Sequence, residues 1–494
     1  MTGPVELTDG RIEGPLRLSG THLNAGNGDA LDAAGVQVGG NLWGDQGFTA
    51  AGRVVLAGAS IAGDAVFSGA ALHGSTDPAD QAVLVLPRGQ ADPTAALVAD
   101  RMTVNGNLML DAGFTAARSV RLTKARIGGY LRLSGATLGS PLEPDTENGD
   151  PWRLVPVALF ADGIEVHGDL EARRSMPRAV PSDEGPLQAH GQVRLVGAQV
   201  HGSASLTGAR LHGPGLDVLV ADRLRVGGTL FFRGVVASGS IRLQHAHIGS
   251  TLDCTGARLG GAGKGVVALR VRGLTCQQLG LRFAEPPHGD VLLSGVVAGS
   301  VLDGEQLWAA DGVIDVEDFR YQSLTASPDV NVTTRLRWLR KVLPGYDPDP
   351  YDQLAASYRD GGHDDRADAV LLAKQQHRHS VHGPAGRIWG RLQQWTVGYG
   401  YRPWRAAGWL AVCWALGSIW FTNHPLSRLD SGQNPSWQPI IYTADLLIPV
   451  VNLGQDGLWR ASGPSAWVAG LLTAVGWLLL STAAAGVTRI LTRR

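Results

Sequence analysis

The sequence predicts a mainly β protein: a β-solenoid of roughly 22-residue coils, then a short α-helical hairpin and a two-span transmembrane α-helical tail. Three observations carry this reading. A repeat with a spacing of 11 residues fills most of the first 305 positions. Gly, at 67 of 494 residues, is about twice its usual share, yet shows no Gly-X-Y period, which excludes collagen. Trp is skewed, with ten of 14 in the last 106 residues, so the body and the tail are built for different solvents.

The repeat is plain in Val54-Val-Leu-Ala-Gly-Ala-Ser-Ile-Ala-Gly63, Val120-Arg-Leu-Thr-Lys-Ala-Arg-Ile-Gly-Gly129 and Val193-Arg-Leu-Val-Gly-Ala-Gln-Val-His-Gly202. Each continues into a second half such as Tyr130-Leu-Arg-Leu-Ser-Gly-Ala-Thr-Leu138. An Ala recurs at the spacing of 11, as in Ala125/Ala136 and Ala198/Ala209. Apolar-x-apolar alternation puts Val120 and Leu122 on one face of a short strand and Arg121 on the other. Such strands, expected to run three to four residues, cannot bury a face alone and must stack on the next coil. Gly accepts positive φ where the chain turns, and Gly every few residues argues against helices. Residues 12–305 would make around a dozen coils and a rod on the order of 50–60 Å long. A longer period overlies the repeat: Ala99-Asp100, Ala161-Asp162 and Ala221-Asp222 each precede a Val-x-Gly-x-Leu stretch. On this plan Ala125 and Ala198 point into tight corners, while Arg121 and Arg194 lie outside and tolerate replacement.

Ser75–Thr94, Ser140–Leu154 and Arg173–Ala189 break the rhythm and read as loops leaving one coil corner. A first domain of residues 1–305 is followed by a helical connector, 306–385. There Asn331–Val342 has the caps and Leu spacing of a helix. Pro350–Gly362 and His363–Lys374 form a tetratricopeptide-like helix pair, of a kind that docks or caps.

The third domain, 386–494, is a membrane tail. Ala406–Phe421 is a short apolar span, and Ser465–Thr488 is a span without a charge. Arg387, Arg391, Arg402 and Arg405 flank the pair before it, and Arg489, Arg493 and Arg494 after it. The positive-inside rule then predicts a multi-pass protein of the cytoplasmic membrane with both termini in the cytoplasm. Ile388, Trp389, Leu392 and Trp395 recur at helical spacing and predict an interfacial helix. Between the spans, segment 438–455 is apolar but too short to cross, and reads as a re-entrant or interfacial packing segment. Its candidate membrane-loop residues are Asp445, Pro449, Asn452, Gly454 and Gln455. In an ion-channel reading they sit at a pore mouth, although no Thr-x-Gly-Tyr-Gly filter is present. Two spans cannot enclose a water path, so that reading requires a homo-oligomer.

Lys plus Arg (43) balances Asp plus Glu (44), which excludes a nucleic-acid partner dependent on a basic excess. Three scattered Cys and the lack of a signal peptide point to a reducing compartment. Leu259-Gly-Gly-Ala-Gly-Lys-Gly265 lacks the first Gly and the final Ser or Thr of a phosphate loop. His377, His379 and His382 read as a basic juxtamembrane face, His245 and His247 as solvent-exposed, and Cys254 and Cys276 as apolar fillers. No catalytic residue, cofactor or metal set emerges.

The Val-Arg-Leu-x-Gly-Ala-x-Ile-x-Gly repeats, the Pro350-Tyr-Asp-Gln-Leu-Ala hairpin and Tyr442…Asp445-Leu-Leu-Ile-Pro-Val-Val-Asn-Leu-Gly454 together resemble an actinobacterial family. Its members are often labelled "membrane-associated oxidoreductase". The resemblance covers almost the whole chain, and 39 Arg against 4 Lys fits a high-GC bacterium. It implies redox chemistry, for which no motif stands here. Pentapeptide-repeat proteins and bactofilins are more loosely similar, because the spacing here is 11 rather than five. The function expected is a membrane-anchored cytoplasmic scaffold or recognition module, with the bilayer and a protein docked on the solenoid as partners. The alternatives are the oligomeric channel with a solenoid sensor, and the redox protein.

Overall fold

The computed structural model describes residues 3–75, 95–140, 157–173, 185–213, 215, 217–260, 266–325, 331–343, 345–381, 404–429, 436–448, 451 and 453–491. The chain forms two compact units, Met1–Val342 with Ala356–Gly362, and Leu343–Ala355 with His363–Arg494.

The first unit is a β-solenoid of about ten turns. Most coils have four short faces rather than two longer strands, and in the last coils the second and third faces run together, as in His247–Asp253 and Thr275–Leu281. The coil starting at Val120 places strands at Val120–Arg121, Arg126–Ile127, Leu131–Arg132 and Thr137–Leu138. Two residues per face suffice because the next coil, not the strand, completes the hydrogen bonding. Val120 lies between Leu97 and Leu159, and Ile127 between Val104 and Val166, all in parallel register. The first-face column begins with Val5 on Leu31 and ends with Val291 on Ile314. Strand residues alternate in and out, so Val120, Leu122, Ala125, Ile127, Leu131 and Leu133 are all buried. Each such Val, Leu or Ile contributes about 1.5–3 kcal/mol.

Two kinds of corner separate the faces. At one kind, four residues make a tight turn: the Ala59 N–H donates to the Leu56 carbonyl at 3.1 Å, with Gly58 at φ +67°. In the next two coils Arg101 and Lys124 hold that left-handed position at φ +57° and +55°. Such a side chain costs about 1–2 kcal/mol there, which the stacked coils override. At the other kind, a column of glycines runs along the rod. Gly106 donates to Gly63 at 3.0 Å, Gly129 to Gly106 at 2.8 Å, Gly168 to Gly129 at 2.8 Å and Gly202 to Gly168 at 3.1 Å. A Cβ on Gly202 would lie 2.8 Å from the Gly168 oxygen and would overlap the Asp169 Oδ1. The next residue in the repeat fastens the coils from the side. Asp64 Oδ1 accepts from Asn107 N at 2.8 Å, Asn107 Oδ1 from Tyr130 N at 3.0 Å, and Asp169 Oδ1 from Ser203 N at 2.7 Å.

The Ala-Asp pairs are clamps between coils. Asp100 Oδ2 accepts from the Arg121 Nη2 at 2.7 Å and its Oδ1 from Thr123 N at 3.0 Å. Asp162 repeats this with Arg194 at 2.7 Å and Val196 N at 3.0 Å. This corrects the expectation that Arg121 and Arg194 are dispensable. They point outward, but the Arg121 side chain is only 11% exposed and lies 5.3 Å from the Phe160 ring. Ala125 and Ala198, at 0% exposed, are the inward corner residues expected.

The ladder runs past residue 305, to Arg320–Thr325 paired on Val297–Asp303. The repeat signature is lost there because other elements cover the last coils. Helix α1 (Glu305–Trp308) brings Trp308 to 5.8 Å from Trp338 of helix α2 (Val332–Val342). Arg335 of α2, buried, pairs with buried Asp303 at 3.0 Å. Helix α2 therefore belongs with the solenoid, whose edge it blunts. The three insertions lie largely outside the described residues, but their flanking strands locate them. The first two leave after a coil's fourth face, whereas the third leaves after the third face, between Leu170–Glu171 and Gln188–His190. They do not share one corner.

The second unit holds helices α3 (Asp349–Asp360, whose last residues belong to the first unit) and α4 (Asp364–Val381), then α5 (Trp404–Asn423), α6 (Pro439–Leu447) and α7 (Pro464–Leu491). One helix among the described residues is long and apolar enough to cross a membrane, over Pro464–Ser481. Helix α5, the first expected span, falls short because Arg405 and Asn423 stand at its ends and four Trp lower its hydropathy. Of the two expected spans, one is supported by length and composition, and α5 is not shown to cross. The interfacial helix expected around Trp389 lies outside the described residues.

Two outcomes test the coil plan. Gly202→Ala should cost about 1–3 kcal/mol in unfolding followed by circular dichroism. Gly14→Ala, with nothing within 4 Å of its Cβ, should leave the transition unmoved. A double-mutant cycle of Arg121→Ala and Asp100→Ala should show coupling of about 1 kcal/mol, and none if the clamp is decorative.

Candidate functional site

Within segment 438–455, Pro439–Leu447 form helix α6. Pro439 opens α6, where its missing N–H costs nothing. Phe421, Tyr442, Leu447, Trp459, Ala469 and Leu472 form one buried cluster holding α6 against α5 and α7. Glycines permit the close approach. A Cβ on Gly417 would lie 2.5 Å from Thr443 Cγ2, and one on Gly476 would overlap the Leu447 carbonyl.

Asp445, 6% exposed, turns toward this fold. Its Oδ1 accepts from Leu453 N at 2.7 Å, and its Oδ2 from Gln455 N at 2.7 Å and Asp456 N at 3.0 Å. Gly454 makes the bend at φ +73°, and Gln455 Oε1 accepts from Trp459 Nε1 at 3.3 Å. Pro449 and Asn452 lie outside the described residues. Burial opposes the charge on Asp445, but the three N–H donors outweigh it and hold the carboxyl below the usual aspartate range. Its contribution is therefore complete near neutral pH and is lost as pH falls through that lowered value. What the arrangement does chemically is fasten a loop.

In the helix pair, His377 is buried and its Nδ1 lies 3.0 Å from the Tyr351 hydroxyl. This corrects its assignment to a basic face: the ring edge packs 6.1 Å from Tyr346 as part of a core. His382 lies outside the described residues, as do 261–265 of the Gly-rich loop. His245 and His247 are exposed, as expected. Burial pushes the Cys276 thiol up to about 12 and that of Cys254 higher still, so neither is a ready nucleophile.

One group on the solenoid escaped sequence reasoning. Glu165, His167 and His201 bring one ligand atom each within 4.8 Å of one another. The His residues are 34 positions apart but occupy the same place in successive coils, as Val166-His-Gly168 and Val200-His-Gly202. Coil stacking sets the rings 4.8 Å apart and 17° from parallel. Glu165 Oε1 lies 3.8 Å from His167 Nε2 and 3.6 Å from His201 Nε2. The repeated Val-His-Gly was the available signal. It was hidden because the insertion Arg173–Ala189 lengthens the spacing.

No family model, curated protein or solved structure matches the chain. Its function is read from its own residues.

Asp445→Ala leaves three backbone donors unpaired and should cost about 2–3 kcal/mol in detergent-solubilised protein, with faster proteolysis between 451 and 463. Asp445→Asn should fall between. Unchanged proteolysis in both would mean that the carboxylate does not hold the loop.

Proposed function

We propose that this protein is a membrane-anchored β-solenoid scaffold or recognition module. The observation that carries the reading is the exposure of α7. Only 22% of its apolar window is buried, whereas a core helix of a soluble protein would be mostly covered. Trp467, Leu471 and Leu478 are 84%, 65% and 56% exposed, and Leu416 and Ile419 of α5 are 64% and 60% exposed. Such a surface is costly in water and matches a hydrocarbon solvent.

In this reading α5 and α6 pack against α7, and α5 and α7 together form the two-span anchor with both termini cytoplasmic. The solenoid supplies a rigid outer surface on which a protein partner docks. The buried, fully engaged Asp445 supports an anchoring role for segment 438–455 over a pore mouth.

Full-length protein should sediment with vesicles and resist extraction by alkaline carbonate, whereas a chain ending at residue 385 should remain in the supernatant. Recovery of the full chain in the soluble fraction would refute the anchor. Ion flux through reconstituted vesicles, lowered by Asp445→Asn, would favour the channel, and stoichiometric flavin or nicotinamide in the purified chain would favour the redox reading.

A further inference from the structure

We propose that Glu165, His167 and His201 form a surface site for one borderline divalent metal ion, with Zn2+ as its representative. Two imidazoles and a carboxylate are a donor set such ions take, with remaining positions left to water. Zinc bonds of about 2.0–2.2 Å in tetrahedral geometry set neighbouring ligand atoms roughly 3.4 Å apart. The two Glu165–imidazole separations, 3.8 and 3.6 Å, exceed this by a few tenths of an ångström. The group as a whole extends to 4.8 Å, so the half-exposed imidazoles must also rotate toward each other to close around an ion.

The surroundings are arranged as a metal site requires. His167 Nδ1 lies 3.4 Å from the Ile127 carbonyl oxygen, which can only accept. That long bond puts a proton on Nδ1, so a neutral ring turns its Nε2 lone pair toward Glu165. A lone pair facing a carboxylate oxygen is repulsive unless a cation lies between them. The Arg126 Nε stands 3.5 Å from Glu165 Oε2, so the second carboxylate oxygen is held while Oε1 faces the rings. The backbone is rigid, since His167 N donates to Ile127 O at 2.9 Å and His201 N to Val166 O at 2.9 Å. Neighbouring coils carry Gly128 and Gly227 at the same repeat position, so no side chain there crowds the open positions.

The bland alternative is that the rings are protonated and simply paired with Glu165. Calorimetric titration of full-length, detergent-purified, chelator-stripped protein with Zn2+ separates the two. The proposal expects about one Zn2+ per chain, with affinity lost at least roughly tenfold in His167→Ala, His201→Ala and Glu165→Gln. Co2+ in place of Zn2+ should give visible absorption bands that the same variants abolish. The stacked pair His190 and His212, at 5.1 Å, serves as control, and His212→Ala should bind like the parent. All three ligands lie on the outer surface, and the unfolding transition of each variant should match that of the parent. A variant that unfolds is replaced by His201→Gln. A parent affinity weaker than about 100 µM, or a Zn2+ affinity unchanged in His201→Ala, would overturn the site.

Discussion

A two-residue strand leaves its backbone N–H and C=O groups pointing along the rod, so no coil is satisfied without a neighbour on either side. Everything in the first unit follows from this. Coils must approach to the spacing of hydrogen-bonded strands at every face, corners included. Gly63, Gly106, Gly129, Gly168 and Gly202 hold corners where a Cβ would overlap the coil beneath. The inward turn position takes Ala125 and Ala198 but also Met102, Ile164 and Leu224, all buried, so it is apolar rather than uniformly small. Charged residues are admitted where they join two coils, as Asp162 joins Arg194 and the Val196 N–H. The far end needs a lid, which Arg335 and Trp338 of α2 provide together with Asp303 and Trp308.

Much of this was legible because the repeat is a local signal. Val120-Arg-Leu122 announces which residues point inward, and the recurring Ala announces the corner. The clamp was half legible: the Ala-Asp pairs stood out, but their partners lie in the next coil. For Asp162 and Arg194 that partner is 32 residues on, because the third insertion intervenes. An outward Arg read from one strand seems idle; read from two stacked coils, it is a cross-link. The same blindness hid Glu165, His167 and His201, which only stacking brings together. In the tail, Asp445 was visible as a charge in an apolar segment, but its partners are backbone N–H groups, which no side-chain pattern records.

The second unit is built differently. Its helices meet through glycines and a small aromatic cluster, while large apolar side chains face outward. Composition showed the change through the Trp skew, yet did not separate the one helix long and apolar enough to span from the shorter α5. Helix α5 is shorter, carries Arg405 and Asn423 at its ends and has four Trp in 20 residues, whereas Pro464–Ser481 of α7 carries no charge. The first unit presents side chains in fixed columns, and the second carries the one helix among the described residues that is long and apolar enough to cross a membrane.

The register of coil stacking is the claim on which the rest depends, and paired cysteines test it directly. Thr103 and Arg126 are register partners in adjacent coils, and Arg126 and Glu165 are partners in the next pair. With Thr103→Cys and Arg126→Cys in one chain, mild oxidation should close an intramolecular disulfide, because stacked strands sit about 4.8 Å apart and within disulfide reach. Thr103→Cys with Glu165→Cys, two coils apart, should not close. Equal cross-linking of both pairs, or of neither, would contradict the stacked register and the account built on it.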